Sequence, residues 1–127
     1  MKTAMKTDTQ KILIVDDEEA LLFGFTIFFQ SPETSVDTAL TLETAEDLIR
    51  KKDYAVIISD LMLSDSTAIE GIDIIHYIKE FQPESRIIIV TAYGERALKE
   101  KVHTLGIDYF FEKPVSPAQV QEVIMKR

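Results

Sequence analysis

The sequence predicts a doubly wound α/β domain in which five parallel strands alternate with five helices. Three short runs of four apolar residues are separated by longer segments with helical periodicity. Uniformly apolar runs of this length are typical of parallel strands buried on both faces of a sheet. Strand and helix patterns also alternate along the whole chain, which is the order expected for parallel strands joined by right-handed helical crossovers.

The predicted strands are of two kinds. The strong ones are the apolar runs at 12–15, 55–58 and 87–90, and two weaker strands are expected at 35–39 and 107–111. Each strong run is too short and too uniformly apolar for a strand with one face in water.

The predicted helices fill the segments between the strands. Apolar spacing and boundary residues place them at 18–30, 42–51, 72–81, 95–105 and 117 to about 125. Thr41 is the expected N-cap of the second helix, and Gly106 should follow the end of the fourth. Ser116 and Pro117 supply the N-cap and the first residue of the fifth helix.

Composition limits the function classes. A chain of 127 residues with 46% hydrophobic residues fits one compact domain. We expect that domain at 11–127, preceded by a flexible polar tail at 1–10. The formal net charge of −8 disfavours binding to a nucleic-acid backbone, and the absence of cysteine excludes disulfides and thiolate metal sites. No apolar run approaches the ~20 residues that span a bilayer, and the first residues lack the apolar core of a signal peptide. The simplest location is the cytoplasm.

Chemically active residues follow four of the five predicted strands. Asp16 and Asp17 follow the first strand, Asp60 the third, Thr91 the fourth, and Lys113 the fifth. In doubly wound sheets functional residues collect at the carboxyl ends of the strands, so these side chains should share one rim.

Three carboxylates at one rim repel one another, and a divalent cation would relieve that conflict. Mg²⁺ favours oxygen ligands and often bridges to phosphate. One carboxylate could instead act as a nucleophile and form an aspartyl phosphate. The metal and Lys113 would then neutralise charge on the phosphoryl group, and Thr91 would donate a hydroxyl hydrogen bond.

Four motifs resemble those of the response-regulator receiver family of two-component signalling. They are ILIVDDE at 12–18, SDLM at 59–62, VTAYG at 90–94 and GIDYFFEKP at 106–114. The similarity covers roughly 11–127. It implies a flavodoxin-like, or CheY-like, sheet with the strand order 2-1-3-4-5.

The resemblance implies a role for each rim residue. Asp60 is the expected phosphoacceptor and also a ligand of Mg²⁺ or Mn²⁺. Asp17 is the expected direct metal ligand, Asp16 reaches the metal directly or through water, and the backbone carbonyl of Met62 completes the set. Thr91 is the expected switch hydroxyl, Lys113 the partner of the phosphate, and Phe110 the aromatic switch residue, which is often Tyr in the family.

The resemblance also implies a signalling function. The phosphodonor would be a sensor histidine kinase or a histidine phosphotransfer protein, and the receiver would switch its helix-four, strand-five, helix-five surface toward an output domain or protein. A phosphorylation-dependent homodimer is a further expected form, whereas direct contact with nucleic acid or membrane is not expected. The domain would catalyse only its own phosphorylation and dephosphorylation.

Three other functions fit the sequence less well. A pseudo-receiver that only scaffolds a partner is disfavoured by the intact set of rim residues. A phosphohydrolase with an aspartyl nucleophile would need an Asp-x-Asp motif, which the sequence Asp60-Leu61-Met62 lacks. A flavin site would need glycine or hydroxyl residues where the first strand is followed by acids.

The segment after Asp60 departs from the family pattern. It lacks the usual proline, is longer by about three residues, and adds Asp65 and Glu70 near the predicted site. This departure affects the expected loop shape and dephosphorylation rate rather than the identity of the acceptor.

Overall fold

A computed structural model of the chain describes residues 10–63 and 68–126. In these residues five strands alternate with five helices. The strands are β1 (Gln10–Val15), β2 (Thr34–Ala39), β3 (Val56–Ser59), β4 (Arg86–Thr91) and β5 (Tyr109–Glu112). The helices are α1 (Glu19–Phe29), α2 (Leu42–Lys51), α3 (Ala68–Phe81), α4 (Arg96–Thr104) and α5 (Pro117–Met125).

The five strands form one parallel sheet in the order β2-β1-β3-β4-β5. The predicted fold class and strand order are therefore confirmed. Val15 pairs with Ser59 across β1 and β3, so these two strands end level with each other. The chain leaves them in opposite lateral directions, which opens a crevice at the carboxyl ends of these central strands.

Apolar clusters cover both faces of the sheet. On β1, Leu13 and Val15 face the cluster formed with α2, α3 and α4, whereas Ile12 and Ile14 face the cluster formed with α1 and α5. Because both faces are covered, the four residues of β3, the last four of β1 and the last five of β4 are all buried. This explains why the central strands appear in the sequence as continuous apolar runs.

Local capping fixes several helix ends as predicted. The Thr41 hydroxyl accepts a hydrogen bond from the Thr44 N–H at 3.1 Å. Ser116 forms a reciprocal capping box with Gln119 at the start of α5. Gly106 follows α4 with a φ of 94°, a conformation that favours glycine.

Three predicted starts were wrong by two or more residues, whereas the other predicted bounds lie within one residue of those in the structure. β1 begins at Gln10, inside the predicted tail, because the Gln10 N–H donates to the Glu33 carbonyl at 2.8 Å. α3 begins at Ala68 rather than at 72, and Ile69 is 73% exposed there, so apolar spacing does not mark this first turn. β5 begins at Tyr109 rather than at 107, and a side-chain oxygen of Asp108 accepts the Ile87 N–H just before it.

Residues 1–9, 64–67 and 127 lie outside the described part of the chain. The predicted tail falls almost entirely on the first of these segments, and Asp65 falls on the second. Among the helices that are described, none has the length and apolar content that a membrane span requires.

Candidate functional site

Three carboxylates meet at the carboxyl edge of the sheet. One oxygen atom from each of Asp16, Asp17 and Asp60 lies within 4.8 Å of the others. Asp16 and Asp60 are 2% and 5% exposed, and Asp17 is half-buried. The structure therefore brings together the three acids that the sequence placed at one rim.

Backbone hydrogen bonds hold two of these acids in place. The Asp16 N–H donates to the Ala39 carbonyl and the Asp60 N–H to the Val15 carbonyl, each at 3.0 Å, so both residues extend the sheet by one position. Their side chains then accept from the chain that follows. Asp16 Oδ1 accepts the Glu18 N–H at 2.9 Å. Asp60 Oδ1 accepts the Met62 N–H at 3.0 Å, and such local turns restrict an aspartate side chain.

The second oxygen of each of these acids contacts Lys113. The ammonium nitrogen lies 2.9 Å from Asp16 Oδ2 and 3.0 Å from Asp60 Oδ2, and the lysine side chain is 11% exposed. Burial alone would lower the pKa of Lys113, but its hydrogen bonds to Asp16 and Asp60 outweigh burial and raise it. Burial has the larger effect on Asp16, whose pKa is raised although Lys113 acts to lower it.

Thr91 ends β4 and is fully buried. Its hydroxyl oxygen accepts the Tyr93 N–H at 3.3 Å, so its O–H can donate to an additional acceptor. The Lys113 N–H donates to the Thr91 carbonyl at 2.8 Å, which links the lysine backbone directly to the end of β4.

Comparison with known proteins decides the family. The family model for the response regulator receiver domain matches residues 12–125. The chain belongs to this family.

Similar receiver domains occur within longer regulators. The chain is 26% identical over 115 residues to the response regulator protein PilR of Pseudomonas aeruginosa, and this match covers 91% of the chain and 25% of PilR. It is 30% identical over 112 residues to the transcriptional regulatory protein SrrA of Staphylococcus aureus, and this match covers 88% of the chain and 45% of SrrA. The chain thus spans a quarter of the first relative and under half of the second.

Solved receiver domains share the fold closely. A CheY-like receiver domain protein from Methanospirillum hungatei superposes with a TM-score of 0.83 at 26% identity, covering 91% of this chain and 90% of that one. The beryllofluoride-activated NtrC4 receiver domain dimer superposes with a TM-score of 0.79 at 32% identity, and the match covers 90% of this chain and 92% of the NtrC4 chain.

Phe110, the predicted aromatic switch residue, lies on β5 beside α4. Phe110 is half-buried against the cluster formed with α2, α3 and α4. Its ring centroid is 6.4 Å from that of His103, and the Lys99 ammonium lies 5.8 Å from the ring centroid. Phe110 therefore contacts side chains of α4, and its switch role stays a prediction.

Sequence reasoning missed one residue of the site. Glu18 Oε2 lies 3.2 Å from the Lys113 ammonium, and the glutamate side chain is 60% exposed. Glu18 is the N-cap residue of α1, but its side chain makes no capping hydrogen bond. The only sequence signal was an acid directly after the aspartate pair, and acids are ordinary at the start of a helix.

The departure after Asp60 is only partly described by the structure. Leu61 and Leu63 are buried, and Met62 is half-buried beside the acid cluster. Glu70 lies exposed on α3. The metal-ligand role of the Met62 carbonyl stays a prediction, and the position of Asp65 lies outside the described residues.

The donor set fits a divalent cation. Three carboxylates share the rim with one ammonium group, so negative charge remains in excess there. Mg²⁺ and Mn²⁺ favour carboxylate and carbonyl oxygens, and Mg²⁺ is usually bound through about one or two carboxylates with several retained waters. Asp16, Asp17 and Asp60 are the residues that could hold it.

Proposed function

We propose that this receiver domain accepts a phosphoryl group on Asp60 from a sensor histidine kinase or a histidine phosphotransfer protein. One observation carries the proposal: the buried Asp60 carboxylate lies 3.0 Å from the Lys113 ammonium and beside two further carboxylates. Phosphoryl transfer depends mainly on positioning and charge neutralisation, and this arrangement supplies both.

In the proposed reaction, an oxygen of the Asp60 carboxylate attacks the phosphorus, and the bond from phosphorus to the donor nitrogen breaks. The oxygen is positioned because its carboxylate is held by the Met62 N–H. Lys113 neutralises charge on the transferred group, and the Thr91 hydroxyl donates to it. A Mg²⁺ or Mn²⁺ ion bound by Asp16, Asp17, Asp60 and the Met62 carbonyl would supply further positive charge to the phosphoryl oxygens.

We further propose that the phosphorylated domain signals through its α4–β5–α5 surface to an output domain or protein. Phosphorylation would bias an existing equilibrium by recruiting Thr91 and Lys113 toward the new negative charge. Phe110 lies on this surface, where its ring could change position. The relative described as a beryllofluoride-activated dimer supports a homodimer as one form of this output.

The test is phosphorylation by a small donor, followed by intact mass spectrometry. Acetyl phosphate with Mg²⁺ should add one phosphoryl group to the wild type and none to Asp60→Asn. Asp53→Asn is the matched control, because Asp53 is exposed and precedes β3 at the opposite edge of the sheet. Undiminished labelling of Asp60→Asn would refute the acceptor, and an unlabelled wild type would favour a scaffold that binds partners without phosphotransfer.

A further inference from the structure

The ammonium group of Lys113 has a full set of anionic partners. A lysine ammonium carries three N–H donors. Three carboxylate oxygens lie near it, from Asp16 at 2.9 Å, Asp60 at 3.0 Å and Glu18 at 3.2 Å. A phosphoryl group on Asp60 would remove the charge of that carboxylate but would place roughly two negative charges beside the same ammonium, where they compete with and repel the remaining carboxylates.

The three partners differ in how firmly they are held. Asp16 and Asp60 are buried, and each accepts a backbone N–H through its other oxygen. The Glu18 side chain is 60% exposed and makes no capping hydrogen bond to α1. Because an exposed ion pair contributes little, the Glu18 carboxylate can turn into water at the smallest cost of the three.

Glu18 also has open space beside its contact with the lysine. Glu18 and Lys113 face one surface cleft of about 400 Å³, whose other lining residues are Leu21, Ala92, Pro114 and Val115. None of these four residues carries a charged side chain, so the cleft offers the ammonium no second carboxylate. The space of the cleft lets the exposed Glu18 carboxylate turn away from Lys113.

We propose that Glu18 is the exchangeable anionic partner of Lys113, whose carboxylate engages the third ammonium donor until a phosphoryl oxygen on Asp60 displaces it. This inference rests on the proposed phosphoacceptor function. Glu18 is a positioning residue in this scheme, since it acts on the phosphoryl group through Lys113. Its presence keeps the ammonium at the rim before phosphorylation and weakens the binding of an incoming phosphoryl group.

The first measurement is the affinity of the protein for beryllofluoride, a phosphate mimic, in the presence of Mg²⁺. Glu18→Gln should bind it about two- to fivefold more tightly than wild type, which is the range expected for loss of one exposed ion-pair competitor. Glu19→Gln is the matched control. Glu19 is exposed, lies one residue further along, and makes no ion pair among the described residues, so its removal should leave the affinity unchanged.

The second measurement is the ¹³C resonance of the Glu18 carboxyl carbon. Beryllofluoride should move it to the position that it has in Lys113→Met without the mimic, because Glu18 loses the same partner in both cases. An unmoved resonance in the beryllofluoride complex, or equal affinities for wild type and Glu18→Gln, would overturn the inference and leave the acceptor role standing. Equal tightening by Glu18→Gln and Glu19→Gln would also overturn it, since the effect would then be one of overall charge. Failure of wild type to bind beryllofluoride would instead refute the proposed function.

Discussion

Replacing Gly71 with alanine should destabilise this domain, although the same substitution usually stabilises a helix. Gly71 is buried in the first turn of α3, directly against the segment that follows Asp60. A Cβ atom added there would lie 2.9 Å from the Leu61 Cα, 2.6 Å from its carbonyl carbon, and closer still to the carbonyl oxygen. These are backbone atoms, so either α3 or the segment around Leu61 would have to move.

The magnitude follows from two opposing contributions. Alanine in a helix interior is favoured over glycine by about 1 kcal/mol. Overpacking a filled site typically costs ~1–3 kcal/mol, and a clash between two backbones belongs near the upper end of that range. Gly71→Ala should therefore lower the free energy of unfolding by about 1–2 kcal/mol, or about 4 °C in Tm for each kcal/mol.

Gly24→Ala on α1 is the matched control. An added Cβ at Gly24 meets no described atom within 4 Å, so the free energy of unfolding of this variant should rise by about 0.5–1 kcal/mol. In urea unfolding monitored by circular dichroism of the helices, the midpoint should fall for Gly71→Ala and rise for Gly24→Ala. The slope of the unfolding free energy against urea concentration should stay the same in both variants. Equal stabilisation of both variants would show that α3 does not approach Leu61 as described.

Three further predictions concern the rim residues. Asp17→Asn should weaken Mg²⁺ binding by about tenfold or more, which corresponds to ~1.4 kcal/mol of lost attraction; calorimetric titration measures this, and an unchanged affinity would remove Asp17 from the metal site. Burial raises the pKa of Asp16 above its ordinary value of 3.8, so native protein binds this proton more readily than unfolded protein. The urea midpoint of metal-free wild type should therefore include a decrease caused by Asp16 as pH rises from 3.8 through the raised pKa. Asp16→Asn cannot lose this proton, so the decrease caused by Asp16 should be absent in that variant. If the urea midpoints of wild type and Asp16→Asn change equally with pH, the raised pKa of Asp16 would be contradicted. Thr91→Ala should leave Asp60 phosphorylatable while abolishing the amide NMR shifts that beryllofluoride induces in the α4–β5–α5 surface, and equal shifts in both proteins would show that the signal does not pass through Thr91.

The fold could be predicted because its central strands are buried on both faces. Ile12 and Leu13 point to opposite sides of the sheet, yet each is about 1% exposed or less, so burial itself produces the continuous apolar run. The start of α3 could not be predicted in the same way. Ile69 is exposed there, and Gly71 is required by the close approach of Leu61 rather than by a loop. That contact depends on how α3 packs on the end of β3, which no local pattern records.

The rim residues could be located from the sequence because they end strands, and a parallel sheet aligns its strand ends. Asp16, Asp60 and Lys113 follow β1, β3 and β5, and the structure brings them into direct contact. The contact between Glu18 and Lys113 joins residues 95 positions apart. It depends on the side-chain direction at the start of α1, and helix periodicity does not predict that direction for an exposed N-cap residue.

The two helices that flank β5 are held to the sheet with unequal strength. The Arg86 guanidinium, at the start of β4, donates to the Ile124 carbonyl at 2.7 Å and the Val123 carbonyl at 2.5 Å, so the end of α5 is tied to the sheet. In α4 the one buried residue is Val102, and the contacts of this helix with Phe110 come from exposed side chains. Segments with few buried apolar contacts rearrange at the lowest cost. A change that begins at Thr91 should therefore be taken up mainly by α4 and the Phe110 ring, while the end of α5 keeps its place.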